Sequence, residues 1–146
     1  MILPDVNVLI YAFHEQADQH QVYAGWLNNA RYEGEELLFP DSVLLGFLRI
    51  VTSPRIYDLP APIDQALAFA SALRRGRRAR VVEDLGSVWS AFDRLVRTDR
   101  QIKGNLVPDA YIAAVAISHK ARVATRDRGF SRFSGLSWFD PAELGS

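Results

Sequence analysis

Cysteine is absent from this chain of 146 residues. Without a thiol, a disulfide framework, a cysteine-ligated zinc site and a thiol nucleophile are all excluded. No apolar run approaches the roughly 18 residues of a membrane span, and the N-terminus lacks the basic and long apolar segments of a signal peptide. We therefore expect a cytoplasmic protein that has no membrane among its partners.

Several catalytic motifs are missing as well. The chain has no glycine-rich phosphate loop and no nucleophilic serine elbow. A haloacid-dehalogenase-like phosphatase needs a second aspartate two residues after the first, but Asn7 stands two residues after Asp5. A receiver domain needs paired acids after its first strand, and these are absent too. His14 and His20 are too far apart for one helical face, so a histidine-based metal site is not expected.

Charge is unevenly distributed, although the net charge is zero. Residues 1–73 contain 3 basic and 9 acidic residues, whereas residues 74–146 contain 14 and 8. Five arginines crowd one stretch, namely Arg74, Arg75, Arg77, Arg78 and Arg80. They form either a solvated helix C-terminus, where the helix dipole favours cations, or a surface for RNA or an acidic partner. Both interpretations stay open, and the first four arginines are the candidate RNA-binding residues.

Short apolar runs alternate with amphipathic segments along the chain. Helices are predicted over residues 6–13, 19–32, 43–51, 62–73, 87–97 and 104–117, and strands over residues 2–3, 37–39, 122–125 and 136–139. Residues 81–82 are a further strand end or an extended approach to a helix, and residues 141–146 are a tail. Length and alternation predict one domain, residues 1–146, with three α/β/α layers and a mainly parallel sheet of about four to five strands.

Helical spacing predicts which side chains of these segments face the core. The predicted buried set includes Val22 in the second helix, Leu45 in the third and Trp89 in the fifth. Asp41 and Ser42 are expected to cap the third helix, since both residue types are common N-caps.

Aspartates recur where the predicted strands end. Asp5 follows the first strand, Asp127 follows the strand 122–125, and Asp109 lies in the first turn of the last long helix. Ligands of open α/β sheets bind beyond the carboxyl ends of the strands. Each aspartate is alternatively a simple helix cap. If the two strands are neighbours in the sheet, the three carboxylates converge at one edge.

Such a carboxylate cluster predicts a cation. Like charges at close range raise one another's pKa and repel, so the cluster is stable at neutral pH only with a positive ion. Oxygen ligands without cysteine or paired histidine favour Mg²⁺ or Mn²⁺ over zinc. A divalent ion beside a basic surface suits metal-assisted hydrolysis of phosphodiesters.

Four segments, in this order along the chain, resemble the motifs of a known family. They begin with Asp5-Val-Asn7 and continue with residues 41–55, residues 107–114 and residues 124–130. Together they resemble PIN-domain ribonucleases, and most of all the VapC-type toxins of bacterial type II toxin-antitoxin pairs. The resemblance covers essentially the whole chain and implies a single PIN domain over residues 1–146.

The resemblance also implies roles for individual residues. Asp5, Asp109 and Asp127 match family acids that coordinate Mg²⁺ or Mn²⁺ and orient the attacking water. Asn7 and Thr125 match positions that support these acids by hydrogen bonding. The implied partners are structured or single-stranded RNA as substrate, a cognate VapB-type antitoxin whose tail blocks the acidic site, and a second copy of the chain in a homodimer.

The chain departs from the family pattern at three positions. Family members usually have a glutamate where this chain has Gly46, some have an acid where it has Leu44, and a second aspartate is often found where it has Gly129. These departures leave the number of metal ions open. They also leave two functions open: a metal-dependent endoribonuclease toxin, or a catalytically weak PIN domain that binds RNA or an antitoxin.

Overall fold

The structure, a computed structural model, describes residues 1–144. The helices are α1 (Val6–Phe13), α2 (His20–Ala30), α3 (Asp41–Val51), α4 (Ile63–Arg74), α5 (Leu85–Thr98) and α6 (Leu106–Ser118). The strands are β1 (Ile2–Pro4), β2 (Leu37–Leu38), β3 (Ala79–Arg80), β4 (Arg122–Ala124) and β5 (Trp138–Phe139). Two short 3-10 helices, Arg128–Arg132 and Pro141–Glu143, flank β5. Within this range no helix is long and apolar enough to cross a bilayer.

All five strands are parallel, and their order is β3-β2-β1-β4-β5. Helix α1 packs on α2 and on α3, α3 packs on α4, and α5 packs on α6. The chain moves outward from β1 to β3 and then crosses back to β4. Because crossovers between parallel strands are right-handed, the helices that connect β1 to β3 lie on one face of the sheet, and the helices of the return to β4 lie on the other. The predicted three-layer α/β/α fold with a parallel central sheet is confirmed.

The middle of the sheet explains where the aspartates lie. Every residue of β1 is buried, as expected for a strand covered on both faces. Ile2 pairs with Arg122, and Pro4, the last residue of β1, pairs with Ala124, the last residue of β4. The two strands therefore end side by side, and the residues that follow them share one edge of the sheet.

Helix α6 brings the third aspartate to the same edge. It precedes β4 through a short connection, so it runs antiparallel to the strands and starts at their carboxyl ends. Its buried face is rich in small side chains, which lets the helix lie close to the sheet. Asp109 lies in its first turn.

Three side chains predicted to be buried are exposed. Val22, Leu45 and Trp89 are 45%, 63% and 63% exposed, so these predictions were wrong. Each directly adjoins a buried residue, and successive helical residues point about 100° apart, so the buried stripe excludes them. The adjoining buried residues are Tyr23, Leu44 and Val88.

Two boundaries also differ from the prediction. The third strand is Ala79–Arg80 and not residues 81–82, because only the former pair with β2. Helix α3 begins at Asp41 after an extended Pro40, and no side chain caps it, so the predicted cap was wrong. Of the predicted tail 141–146, residues 141–143 form a 3-10 helix, while residues 145–146 lie outside the described range.

Candidate active site

Asp5 is both a strand end and a helix cap. Its extended backbone continues β1, since its N–H donates to the carbonyl of Ala124 at 2.9 Å. Its Oδ1 accepts the N–H of Val6 at 2.7 Å and so starts α1. The side chain is only 5% exposed. Asp5 can therefore cap α1 and belong to the site at once, because its Oδ1 caps the helix while its Oδ2 lies toward the end of β4.

Thr125 is the centre of the hydrogen-bond network. Its hydroxyl, fully buried just after β4, donates to Oδ2 of Asp5 at 2.8 Å. The same oxygen accepts the N–H of Asp127 at 2.9 Å and the Nδ2 of Asn7 at 3.3 Å. The hydroxyl of Thr125 thus fixes the buried carboxylate of Asp5 and the backbone of the exposed Asp127.

Asn7 joins the two strand ends a second time. Besides the contact to Thr125, its Oδ1 accepts the N–H of Arg126 at 3.3 Å. An amide provides a donor and an acceptor together, which a carboxylate at this position does not. The structure therefore brings both predicted supporting residues, Asn7 and Thr125, into contact with each other and with the loop that carries Asp127.

Asp127 lies at the open rim of the site. It caps the 3-10 helix Arg128–Arg132 through Oδ1, which accepts the N–H of Gly129 at 2.8 Å. A Cβ added to Gly129 would lie 2.9 Å from that oxygen. The glycine at this position thus permits the tight turn, and a side chain here requires the turn to shift.

Asp109 faces the other two aspartates from α6. Burial raises its pKa to about 6, with further upward contributions from the charges of Asp5 and Asp127. Burial also raises the pKa of Asp5, against the hydrogen bonds from Thr125 and Val6, and Asp127 adds to this increase. The three predicted acids therefore lie close enough to repel one another.

The raised pKa of Asp109 predicts a pH-dependent stability. Because its folded pKa of about 6 exceeds the ordinary value of 3.8, the folded protein holds this proton more tightly than the unfolded chain. The contribution of Asp109 to the free energy of unfolding is therefore fully present below the unfolded pKa of 3.8, and it is lost as the pH rises through the folded pKa of about 6. We expect Asp109→Asn to stabilise the metal-free protein at neutral pH by about 1–2 kcal/mol, less than the full linkage value because Asp109 is partly open to solvent.

Urea unfolding in EDTA checks this expectation. The difference in unfolding free energy between Asp109→Asn and the parent protein should shrink as the pH falls through the titration range of Asp109. Asp93→Asn, a change on the outer surface of α5, should give a small difference that does not follow that range. Equal differences for Asp109→Asn at low and neutral pH would contradict the interpretation.

The donor set fits a hard divalent cation. All three side chains offer carboxylate oxygens, and within residues 1–144 the carboxylate of Asp109 accepts no hydrogen bond. As the side chains stand, no group of three or more acidic or histidine residues in that range is close enough together to hold a metal ion by itself. Mg²⁺ usually keeps several waters and binds one or two carboxylates together with a substrate phosphate. An open arrangement of this kind suits such an ion.

Comparison with known proteins identifies the family. The profile of the PIN domain matches residues 2–136 of the chain. The chain belongs to the PIN-domain family. VapC ribonuclease Mb2897 of Mycobacterium bovis is 36% identical to it over 143 residues, which span 98% of this chain and 97% of that protein. Ribonuclease VapC31 of Mycobacterium tuberculosis is 29% identical over 141 residues, 97% of this chain and 99% of that protein.

Solved structures share the fold of this PIN domain. VapBC-1 from nontypeable Haemophilus influenzae superposes with a TM-score of 0.70 at 18% identity, covering 98% of this chain and 100% of that one. VapC20 of Mycobacterium tuberculosis, described as a sarcin-ricin loop cleaving toxin, gives a TM-score of 0.65 at 18% identity, covering 94% and 99%. The predicted relation to VapC-type proteins is confirmed.

Packing accounts for the two missing acids of this PIN domain. Leu44 is buried in the core, and Gly46 faces Val6, the residue that follows Asp5. A Cβ on Gly46 would lie 3.2 Å from a methyl group of Val6. Helix α3 therefore lies directly against α1 and adds no oxygen donor from these positions.

The structure separates the predicted arginines from the aspartates. Leu37, which pairs with Ile2 at the start of β1, donates its N–H to the carbonyl of Arg78 at 2.9 Å. The stretch before β3 thus lies at the amino ends of the strands, whereas Asp5 follows a carboxyl end. Arg74 pairs with Asp41 at 3.7 Å. Within residues 1–144 none of the four candidate arginines pairs with the site aspartates.

One contact near the site was not predicted from the sequence. The guanidinium of Arg126 lies 5.2 Å from the ring centroid of Tyr11 and 3.5 Å from a carboxylate oxygen of Asp18. Arg126 thereby ties the loop after β4 to α1 and to the segment before α2. Its place between Thr125 and Asp127 was the only sequence signal, and that signal does not identify its partners.

Proposed function

We propose that this PIN domain is a Mg²⁺- or Mn²⁺-dependent endoribonuclease and the toxin of a VapBC-type toxin-antitoxin pair. The observation that carries the proposal is the meeting of Asp5, Asp109 and Asp127 at the carboxyl ends of β1 and β4, where burial, and then the charges of the other two aspartates, raise the pKa of Asp109 to about 6. The names of the relatives, VapC ribonucleases, give independent support.

The three aspartates would hold the ion and Thr125 would hold two of them in place. When bound, a divalent ion neutralises phosphate charge and lowers the pKa of a coordinated water. Asp5 is oriented by Thr125, which leaves its carboxylate no freedom to turn away. A carboxylate of the cluster accepts the proton of the attacking water, as a general base. The solvent-exposed position of Asp127 leaves room for an RNA strand to approach.

The partners follow from the relatives. We propose that a VapB-type antitoxin occupies the acidic edge, since several related structures are toxin-antitoxin complexes. The homodimer is proposed from the family resemblance alone. Residues 1–146 would form one PIN domain. A second candidate function, RNA or antitoxin binding without efficient cleavage, is favoured by the two acids missing at Leu44 and Gly46.

Metal-dependent cleavage is the direct test of the proposal. The purified chain, freed of any partner, should cut total cellular RNA at discrete positions with Mg²⁺ or Mn²⁺, and EDTA should remove this cleavage because the carboxylates then have no ion to hold. Mapping the ends of the fragments measures it. Intact RNA with either metal, together with retained RNA or antitoxin binding, would support the second candidate instead.

A further inference from the structure

A basic recess lies apart from the aspartates. It has a volume of about 260 Å³ and is lined by Arg31, Tyr32, Gly76, Arg77 and Arg78. We propose that it is a second RNA contact, which binds a backbone phosphate through its arginines and a base on Tyr32. The inference rests on the proposed ribonuclease function only for the identity of the nucleic acid.

The charge of the recess is not neutralised by the protein. Its wall contains three arginines and no acid, and within residues 1–144 none of the three forms an ion pair. Just outside, Arg74 pairs with Asp41 and Arg80 pairs with Glu36. The Nε atoms of Arg31 and Arg78 are buried without a hydrogen-bond partner in that range. Unpaired cations gathered at one concave place attract an anion.

Three elements build the recess and hold it in shape. Arg31 follows α2 and donates from Nη2 to the carbonyl of Ala72 in α4 at 3.4 Å. The carbonyl of Arg78 accepts the N–H of Leu37 at the start of β2 at 2.9 Å. The arginines thus come from segments about 45 residues apart and meet through backbone contacts. This arrangement is present before any ligand binds.

The helix dipole does not explain all of these arginines. A cation near a helix C-terminus is stabilising, and this accounts for Arg31 after α2 and for Arg74 and Arg75 at the end of α4. The effect falls off beyond the last turn. Arg77 and Arg78 lie past that turn, so their charge has no such structural reason.

Tyr32 favours nucleic acid over an acidic peptide. Its ring is 69% exposed, and the guanidinium of Arg31 lies 5.8 Å from the ring centroid. An exposed aromatic face beside unpaired arginines is the arrangement that single-stranded RNA uses for base stacking and backbone contact. The small volume of the recess suits one phosphate group and not a whole drug-sized ligand.

The recess and the aspartates are separated by the sheet geometry. Arg78 lies two strands from Asp5 and about four residues lower along the strand direction. These steps put the two places on the order of 15–20 Å apart. A strand of several nucleotides covers this distance, so the recess should strengthen binding of long RNA and leave very short substrates unaffected.

Binding without cleavage tests the inference. The Asp5→Asn protein in EDTA is titrated with fluorescein-labelled single-stranded RNA, and anisotropy gives Kd over a range of salt concentrations. Adding Arg77→Ala should weaken binding about tenfold and lower the salt slope by about 0.7 for one lost phosphate contact. Arg94→Ala, which removes an exposed charge on α5 outside the recess, should change Kd less than about twofold. Tyr32→Leu should weaken binding about fivefold with an unchanged slope.

Several outcomes would overturn the proposal. Equal losses of RNA affinity for Arg77→Ala and Arg94→Ala would mean that RNA binds through diffuse surface charge and not at the recess. If polyglutamate displaced the labelled RNA as effectively as unlabelled RNA does, and if this displacement required Arg77, the recess would be assigned to an acidic protein. Arg77-dependent binding of inorganic phosphate alone, with RNA affinity unchanged by Arg77→Ala, would leave only a small-anion site. Because no cleavage is measured, an inactive wild-type protein that retains Arg77-dependent RNA binding would reject the nuclease proposal alone.

Discussion

Replacement of Asp5 by asparagine should reduce RNA cleavage by about 10³-fold, because metal-assisted charge stabilisation contributes several kcal/mol to such reactions. Asparagine has nearly the same shape and can still accept the N–H of Val6, so α1 keeps its cap. What is lost is the negative charge and the second carboxylate oxygen, which accepts the hydroxyl of Thr125. The rate of cleavage in Mg²⁺ or Mn²⁺ measures the effect, and RNA affinity should stay similar or rise.

The control for this substitution is the same chemical change elsewhere. Asp93→Asn removes an exposed carboxylate on α5 that pairs with Arg97. Its cleavage rate should match that of the parent protein. Near-normal cleavage by Asp5→Asn would remove Asp5 from the mechanism, and an equal loss in both variants would point to a general effect of charge.

Thr125→Val should have the largest effect on stability. Valine fits the same buried space but leaves Oδ2 of Asp5, the N–H of Asp127 and the amide of Asn7 without their common partner. Each unsatisfied buried group costs about 1–3 kcal/mol, and partial solvent access at the rim reduces the sum. We expect a loss of about 2–4 kcal/mol in the free energy of unfolding and at least about tenfold in cleavage. Urea unfolding and RNA cleavage measure the two effects.

Thr125→Ser separates the hydroxyl from the methyl group. Serine keeps every hydrogen bond of the network and removes one buried methyl, which costs about 1 kcal/mol. Cleavage should therefore remain close to that of the parent protein. If serine and valine lowered stability and cleavage equally, the methyl group and not the hydroxyl would be the important part of Thr125.

Periodicity and strand-end acids were enough to predict the fold and to select the three aspartates. The alternation of apolar runs and amphipathic helices determines a parallel sheet, and parallel strands bring their carboxyl ends to one edge. Asp5 and Asp127 follow neighbouring strands, so topology alone brings them together. Residues such as Leu45 and Trp89 were misplaced because broad apolar faces do not show which stripe of the helix meets the core.

The contacts between distant segments were beyond sequence reasoning. The shared partners of Thr125 follow from the register of β1 against β4, which no local pattern contains. The recess of Arg31 and Arg77 depends on the ends of α2 and α4 meeting beside β2. The tight approach of Gly46 to Val6 is likewise a packing detail between helices. Local sequence patterns predict the type of each secondary-structure element and the face that it buries, whereas these contacts depend on interatomic distances between distant segments.

The hydrogen bond between Thr125 and Asp5 joins residues 120 positions apart in the chain. A ribosome makes Asp5 first and supplies its partners only near the end of synthesis, when β4 takes its central place beside β1. A chain released before residue 109 carries Asp5 but neither Asp109 nor Asp127, so the three carboxylates cannot meet at one edge. The acidic edge is therefore complete only when synthesis of the chain is almost finished.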